Sequence, residues 1–320
     1  MSHYENVISA ILHGEVIPFL GAGVNIFGRQ EQEVYMPGQY LPSARELAAY
    51  LAVQYDYKSD DKTNLLRVSQ YATVMRGAGS LYNRLGEVFD ADYPMNVLHK
   101  FFARLPRILK RKGCVRPYQL IVTTNYDDVL ETAFRRAKEP FDVVYYMARK
   151  PHQGKFRHIP HETSPRDSIL IDDPNTYNQL PFKGPTPQRT VILKIHGAVD
   201  RVSDRVNRKP DELQDSFVIT EDDYINYLAQ TDISKLLPVQ LKSKLTNSGF
   251  LFLGYGLRDW NLRVIMNRIW GEQKLDFASW AIQLKAEELD KKFWSIRKVD
   301  LIETRLETYI IELFRRLIRR

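Results

Sequence analysis

The chain has 320 residues and a mass of 37.4 kDa, with 44% hydrophobic and 27% charged residues. These globular values exclude disorder and fibrous repeats, and the lack of any apolar run of about 18 residues excludes a membrane-spanning helix. The net charge of +7 is uneven: Lys100 to Arg116 holds seven basic residues and no acidic one, and Lys291 to Arg320 holds nine basic and four acidic. Such segments read either as solvated faces of amphipathic helices or as contacts to nucleic acid, an acidic partner or a phosphate-bearing ligand. The single cysteine, Cys114, excludes an internal disulfide and a Cys-x-x-Cys zinc site, and it fits a reducing cytoplasm. Met1 to Glu15 shows no secretory signal, so a cytoplasmic location is expected.

In chain order, five short apolar runs read as strands. They are Val16 to Leu20, Leu120 to Thr124, Val191 to Ile195, Phe250 to Leu253 and Ser279 to Leu284. Strands buried on both faces read as continuous rather than alternating hydrophobics. Helical stretches between them predict an α/β fold: a Rossmann-like parallel sheet with helices on both faces. Helical spacing over Ala44–Tyr55, Leu65–Met75, Ser80–Phe89 and Val97–Leu109 predicts a helical insertion module at about 41–117. It belongs to one domain spanning 1–320. Met147 to Gln188, rich in Pro, His, Asp and Gly, is expected to be one long loop at about 147–188, and Val202 to Asp215 another, charged one. Ile302 to Leu317 predicts an amphipathic helix, packed on the domain or on a second subunit.

Four strand ends carry candidate chemistry. Gly21-Ala22-Gly23 follows the first strand directly. Glycines there let backbone N–H groups approach a pyrophosphate, though the tripeptide is not a full G-x-G-x-x-G and is equally a plain turn. Gly77-Ala-Gly79 follows no strand and is read as a plain turn. The second strand runs into Thr124-Asn125-Tyr126-Asp127-Asp128. Its amide and carboxylate could grip a ribose hydroxyl or a carboxamide, or Asn125 or Asp127 could cap the helix Val129–Arg136. The third strand runs into His196-Gly197, where an imidazole suits proton transfer or serves as a structural hydrogen-bonding residue. The fourth ends in Gly254-Tyr255-Gly256-Leu-Arg258-Asp259, a glycine turn opening a helix. Arg258 there either holds a phosphate or pairs with Asp259. All four would converge on one edge of one sheet.

This order resembles the sirtuin-like, silent-information-regulator family. Gly21-Ala-Gly23 is similar to its pyrophosphate loop, Thr124-Asn-Tyr-Asp127 to its Thr-Gln-Asn-Ile-Asp element, and His196-Gly197 to its catalytic His-Gly. Gly254 to Asn261 and Val218 to Tyr224 resemble the bacterial branch found in antiphage defence. Two departures stand out. One cysteine cannot build the four-cysteine zinc ribbon of deacylating sirtuins, and their arginine-containing loop after Gly-Ala-Gly has no clear counterpart.

The resemblance implies an NAD+ hydrolase that cleaves the nicotinamide–ribose bond and needs no metal. It implies that Asn125 binds the nicotinamide ribose, Asp127 contacts the carboxamide and His196 is the general base. It assigns the dinucleotide to Gly21, Ala22, Gly23, Asn25, Thr124, Gly254, Tyr255, Gly256 and Arg258. A deacylase, an ADP-ribosyltransferase or a non-catalytic NAD-binding module are the alternatives. Because unrestrained NAD+ loss harms the host, a regulatory partner in trans is expected, a HerA-type ATPase or an Argonaute-like protein, together with homo-oligomers. His152, His158 and His161 fit no standard metal spacing and are expected to lie in a flexible polar loop.

Overall fold

The computed structural model describes residues 3–29, 35–183, 186–201, 215–229, 237–257, 263, 266 and 277–320. Its strands are β1 (Val16–Leu20), β2 (Leu120–Thr123), β3 (Phe141–Tyr146), β4 (Phe156–Ile159), β5 (Ile169–Ile171), β6 (Phe182–Lys183), β7 (Thr186–Pro187), β8 (Thr190–Lys194), β9 (Gly249–Leu253), β10 (Ser279–Gln283) and β11 (Val299–Glu303). Nine form one sheet in the order β11-β10-β9-β1-β2-β8-β3-β4-β5, and β6 pairs with β7. The seven from β11 to β3 run parallel; β4 and β5 add antiparallel at one edge.

The expected parallel α/β architecture is therefore present. β1, β2 and β8 are buried at every residue, which explains their unbroken apolar sequence. Pro18 sits in the central strand β1, where a missing N–H would break a ladder. The β1–β2 pairing begins only at Phe19, one residue beyond it.

The helices are α1 (His3–His13), α2 (Ala44–Gln54), α3 (Leu65–Arg76), α4 (Ala78–Phe89), α5 (Val97–Arg111), α6 (Val129–Ala137), α7 (Glu221–Ala229), α8 (Val239–Thr246), α9 (Glu288–Ser295) and α10 (Leu306–Arg319). One sheet face packs Phe19, Val122, Leu193 and Phe252 against Tyr227 of α7, Leu241 of α8 and Trp294 of α9. The other packs Leu20, Ile121, Ile192 and Leu253 against α1, α5, α6 and α10. Each such large apolar side chain taken fully out of water contributes about 1.5–3 kcal/mol. Helices α2 to α4 form their own cluster, which reaches the sheet through Tyr126, Val129 and Phe217. Gly77 takes φ +83 where α3 ends and α4 begins. No helix among the described residues is long and apolar enough to cross a membrane.

Three expectations need correction. The segment 147–188 is not one loop, because β4 and β5 extend the sheet from within it. β4 alternates buried and half-buried residues, so its polar positions conceal the strand. His158 lies in β4, fully buried, between Asp142 (Nε2 to Oδ2, 3.1 Å) and the Tyr177 hydroxyl (2.6 Å), so it is a structural residue and not part of a flexible polar loop. The C-terminal helix starts at Leu306; Ile302 belongs to β11. The helix packs on α1 and α5 of the same chain, with Phe314 edge-on to Phe101 at 5.4 Å.

Candidate functional site

Register decides where the site forms. Leu20 pairs with both Thr123 and Leu253, and Thr123 pairs with Lys194. Four parallel strands thus end abreast, and Gly21, Thr124, Ile195-His196 and Gly254 leave the same edge. That edge is where open α/β sheets bind ligands.

The two glycine turns pack on each other. Gly21 N–H donates to the Leu253 carbonyl at 3.0 Å, and Gly23 N–H to the Gly254 carbonyl at 2.8 Å. A Cβ on Gly21 would lie 2.5 Å from Tyr255 Cδ2, and one on Gly23 2.6 Å from the Gly254 oxygen. Gly254 has φ +66, and its Cβ would meet Val24 N at 2.3 Å. These three positions exclude a side chain because the turns touch, a reason the sequence reading did not contain. Val24 and Asn25 N–H groups are also spent inside the single 3-10 turn Ala22–Val24, on Gly21 and Ala22 carbonyls. Gly256 differs, with nothing among the described residues within 4 Å of an added Cβ. Tyr255 packs edge-on against Phe19 at 5.7 Å, and its carbonyl accepts from Gln283 Nε2 at 2.7 Å. Arg258 and Asp259 lie outside the described residues.

The β2 turn is tied to the first glycine turn. Thr123 Oγ1 donates to the Leu20 carbonyl and accepts the Asn125 N–H, each at 3.1 Å. Thr124 N–H donates to the same Leu20 carbonyl at 3.1 Å, and Thr124 is buried. Asn125 is half-buried, with Nδ2 donating to the Gly21 carbonyl at 3.4 Å. The Tyr126 hydroxyl donates to the Val218 carbonyl at 2.7 Å.

Asp127 is buried and stands one residue before Asp128, the N-cap of α6, whose own side chain makes no cap hydrogen bond. Asp127 Oδ1 accepts the Val129 N–H at 3.1 Å at the start of α6, while Oδ2 accepts from Asn25 Nδ2 at 3.2 Å. Burial pushes the Asp127 carboxyl above its ordinary value, against the lowering effect of the Lys194 charge. Lys194 itself is buried, donating to the Asp127 backbone carbonyl and to Glu131 Oε1 at 2.7 Å. Burial likewise pushes Glu131 up. A lysine inside the apolar run Val191 to Ile195 is the sequence signal for this pair.

His196 is 3% exposed. Tyr224 and Tyr227 stand edge-on to its ring at 5.4 and 5.9 Å. Nδ1 lies 3.4 Å from the Tyr224 hydroxyl, and Nε2 has no hydrogen-bond partner among the described residues. Burial lowers its pKa to about 3, so the imidazole is neutral. Its backbone carbonyl accepts the Val218 N–H at 2.9 Å. Gly197 takes φ +92, and a Cβ there would sit 2.1 Å from the Ser216 oxygen. The strand-like run 215–220 thus lies flat on the His-Gly turn.

Sequence reasoning did not place the two tyrosines. Their signal is Thr220-Glu-Asp-Asp223, a capping box: Asp223 N–H donates to Thr220 Oγ1 at 3.0 Å, and Thr220 N–H to Asp223 Oδ2 at 2.9 Å. It starts α7 and sets Tyr224 and Tyr227, three apart, on one face.

Direct contacts join Gly21, Gly23, Asn25, Asn125, Asp127, Gly254 and Tyr255. His196 joins them through Val218 and the Tyr126 hydroxyl. A separate cavity of about 790 Å³ lies behind α6, lined by Glu131, Arg135, Tyr145, Lys194 and Arg201, and includes neither glycine turn nor His196. Among the described residues no group of three His, Cys, Asp or Glu side chains is placed to hold a metal ion.

Residues 119–302 match the family model described as the SIR2-like domain. The chain is 27% identical over 262 residues to the NAD(+) hydrolase ThsA of Enterococcus faecium, covering 81% of this chain and 41% of that protein. It is 23% identical over 266 residues to defense-associated sirtuin 2 of Bacillus subtilis, covering 83% of this chain and 20% of that protein. A second NAD(+) hydrolase ThsA, from Acinetobacter baumannii (strain 532279), is 23% identical over 266 residues, 83% of this chain and 41% of that protein. The chain therefore spans less than half the length of each of these relatives.

Proposed function

The chain belongs to the SIR2-like domain family, and from that premise we propose that its strand-end crevice hydrolyses NAD+ to nicotinamide and ADP-ribose. The observation that supports this reading is that Asn125, Asp127 and His196 all directly follow parallel strands that end abreast, with no hydrogen-bond partner for His196 Nε2 among the described residues. The names of the relatives, two NAD(+) hydrolases and a defence-associated sirtuin, support the same reading and a role in antiphage defence.

Breaking the glycosidic bond builds positive charge on the ribose, as in other oxocarbenium-like transition states. In the proposed reaction water adds to the anomeric carbon, nicotinamide leaves with the bonding pair, and one proton is released. His196 Nε2 takes a proton from the ribose hydroxyl or the attacking water. Asn125, half-exposed at the edge, binds the ribose. Asp127 Oδ2 already accepts from a primary amide, that of Asn25. The nicotinamide carboxamide presents the same donor, so exchange of one amide for the other would seat the leaving group. The glycine turns, Ala22, Thr124 and Gly256 line the remaining length, with Arg258 assigned to the phosphates.

A histidine held at about 3 is a weak base at neutral pH. This suits a resting enzyme whose activation loosens the burial of His196. We assign that activation to a partner acting in trans, of the HerA-type ATPase or Argonaute-like kind, and to self-association. We read 41–117 as a helical insertion of the same domain, working in the cytoplasm.

The test is nicotinamide release from NAD+ by the purified protein together with its activating partner, with and without an acetylated peptide. Release without peptide, abolished in His196→Ala and Asn125→Ala proteins of unchanged circular dichroism, is the expected result. Release only with peptide assigns a deacylase instead, and unchanged release in both variants overturns the crevice.

A further inference from the structure

The two basic segments, some two hundred residues apart in the chain, meet at the opposite edge of the sheet. On α5, Lys100, Arg104 and Arg111 are exposed and share one face, since positions i, i+4 and i+11 fall within about 40° of each other on a helix. They span about 16 Å of helix. α5 contains no acidic residue. The stripe continues into Lys112 and Arg116, which line an open cavity of about 580 Å³ together with His13, Cys114 and the terminal Arg320. Among the described residues none of these six cations has an ion-pair partner, whereas Arg107 and Lys110 beside them face Glu139 at 3.2 and 3.8 Å.

The cavity is built where β1, β2 and β9 begin, so it lies a full strand length from the crevice. Arg116 lies against Gly14: a Cβ on Gly14 would meet Arg116 Cβ at 3.1 Å. Lys244 of α8, the helix before β9, donates to the Gly14 carbonyl. Burial and the Arg116 charge push its amine down to about 8, with Glu15 opposing them. Among the described residues no Asp or Glu side chain lines the cavity. Cations crowded this way are relieved by anions.

We propose that this edge binds the phosphate backbone of a nucleic acid, with one phosphate in the cavity beside Arg116 and Arg320 and further phosphates along the α5 stripe. A single free phosphate would fill the cavity and leave the stripe unused. A polyanion engages both, and the cations stand at steps that a strand of phosphates can follow. Binding of this kind is indifferent to base sequence and is driven by release of counterions. It goes beyond the hydrolase reading and does not depend on it, because the two sites share no residue.

The experiment uses fluorescence anisotropy of the full chain with a fluorescein-labelled 20-nucleotide single strand and the matching duplex, from 50 to 200 mM KCl. Expected is binding whose log K falls linearly with log salt, with a slope of about −2 or steeper, about 0.7 for each phosphate contacted on a single strand. Arg104→Glu/Arg111→Glu and Arg116→Glu/Arg320→Glu should each weaken it at least tenfold while keeping the wild-type melting temperature. Arg104→Gln/Arg111→Gln serves as a milder pair should charge reversal disturb the fold. Absence of salt-dependent binding overturns the proposal, as do folded variants that bind as tightly as the wild type. Equal competition by polyglutamate of matched length also overturns it, because the edge would then be a site for an acidic protein.

Discussion

Asn25 Nδ2 donates to Asp127 Oδ2 across 3.2 Å, joining the turn after β1 to the start of α6 over 102 residues of chain. The same carboxylate accepts the Val129 N–H, the first of α6. One buried side chain thus fixes the spacing between two strand ends, and any ligand amide that competes for Oδ2 must displace Asn25.

Removing that carboxylate leaves two donors unpaired in a buried setting. Asp127→Ala should destabilise the protein by about 2–4 kcal/mol, since each orphaned buried group costs about 1–3 kcal/mol. Asp127→Asn should cost less, because its Oδ1 still accepts the Val129 N–H. Urea unfolding of the two variants checks the ordering; equal losses would show that the bond to the Val129 N–H contributes nothing.

The glycine turns give a paired comparison. Gly21→Ala drives a methyl to 2.5 Å from the Tyr255 ring and 2.6 Å from the Gly254 carbonyl, whereas Gly256→Ala meets nothing within 4 Å among the described residues. Gly21→Ala should cost about 1–3 kcal/mol, the usual range for overpacking. Gly256→Ala should leave the melting temperature unchanged, and a fall as large as that of Gly21→Ala would show that the two turns do not pack as described.

Lys194 and Glu131 form a buried pair between β8 and α6 at 2.7 Å. Lys194→Met alone strands the carboxylate and should cost about 3–5 kcal/mol. Adding Glu131→Leu should restore most of that loss, because the stranded charge is then gone. A double-mutant cycle in urea measures the coupling, and simple additivity would mean the pair does not interact.

Acid should weaken the fold. Burial holds His196 at about 3 and His99 at about 4, while free imidazoles titrate near 6.5. Between those values the unfolded chain binds more protons than the folded one, so stability rises with pH and is lost as pH falls below about 6.5. Each such histidine contributes a slope of about 1.4 kcal/mol per pH unit. Asp127, Glu131 and Asp223, pushed up by burial, pull the other way. The difference between wild type and His196→Asn isolates the imidazole: the variant's stability should fall less between pH 7 and 5. Parallel profiles would show that His196 is solvated.

The four strand-end motifs were legible because residues bearing polar chemistry directly after apolar runs stand out from the runs themselves. β3 and β11 were not recognised. β11 carries Asp300 and Glu303, the two exposed residues of its five, at the sheet edge, so its composition resembles a loop. β3 carries Asp142, whose charge is met by Arg189 at 2.8 Å and by His158, both brought in from elsewhere in the chain.

The order of the chemistry along the chain, glycine turn, Asn-x-Asp, His-Gly and second glycine turn, was determined by sequence alone, as was the parallel sheet that carries it. Local composition suffices there, because a strand buried on both faces must be apolar and its end must turn. Only tertiary structure decided that Asp127 is shared between Asn25 and the first N–H of α6, that two tyrosines close over His196, and that Arg116 and Arg320 face one cavity. Each of these depends on register and on packing between segments tens to hundreds of residues apart, and a side chain's partner across such a distance leaves no mark in its own neighbourhood.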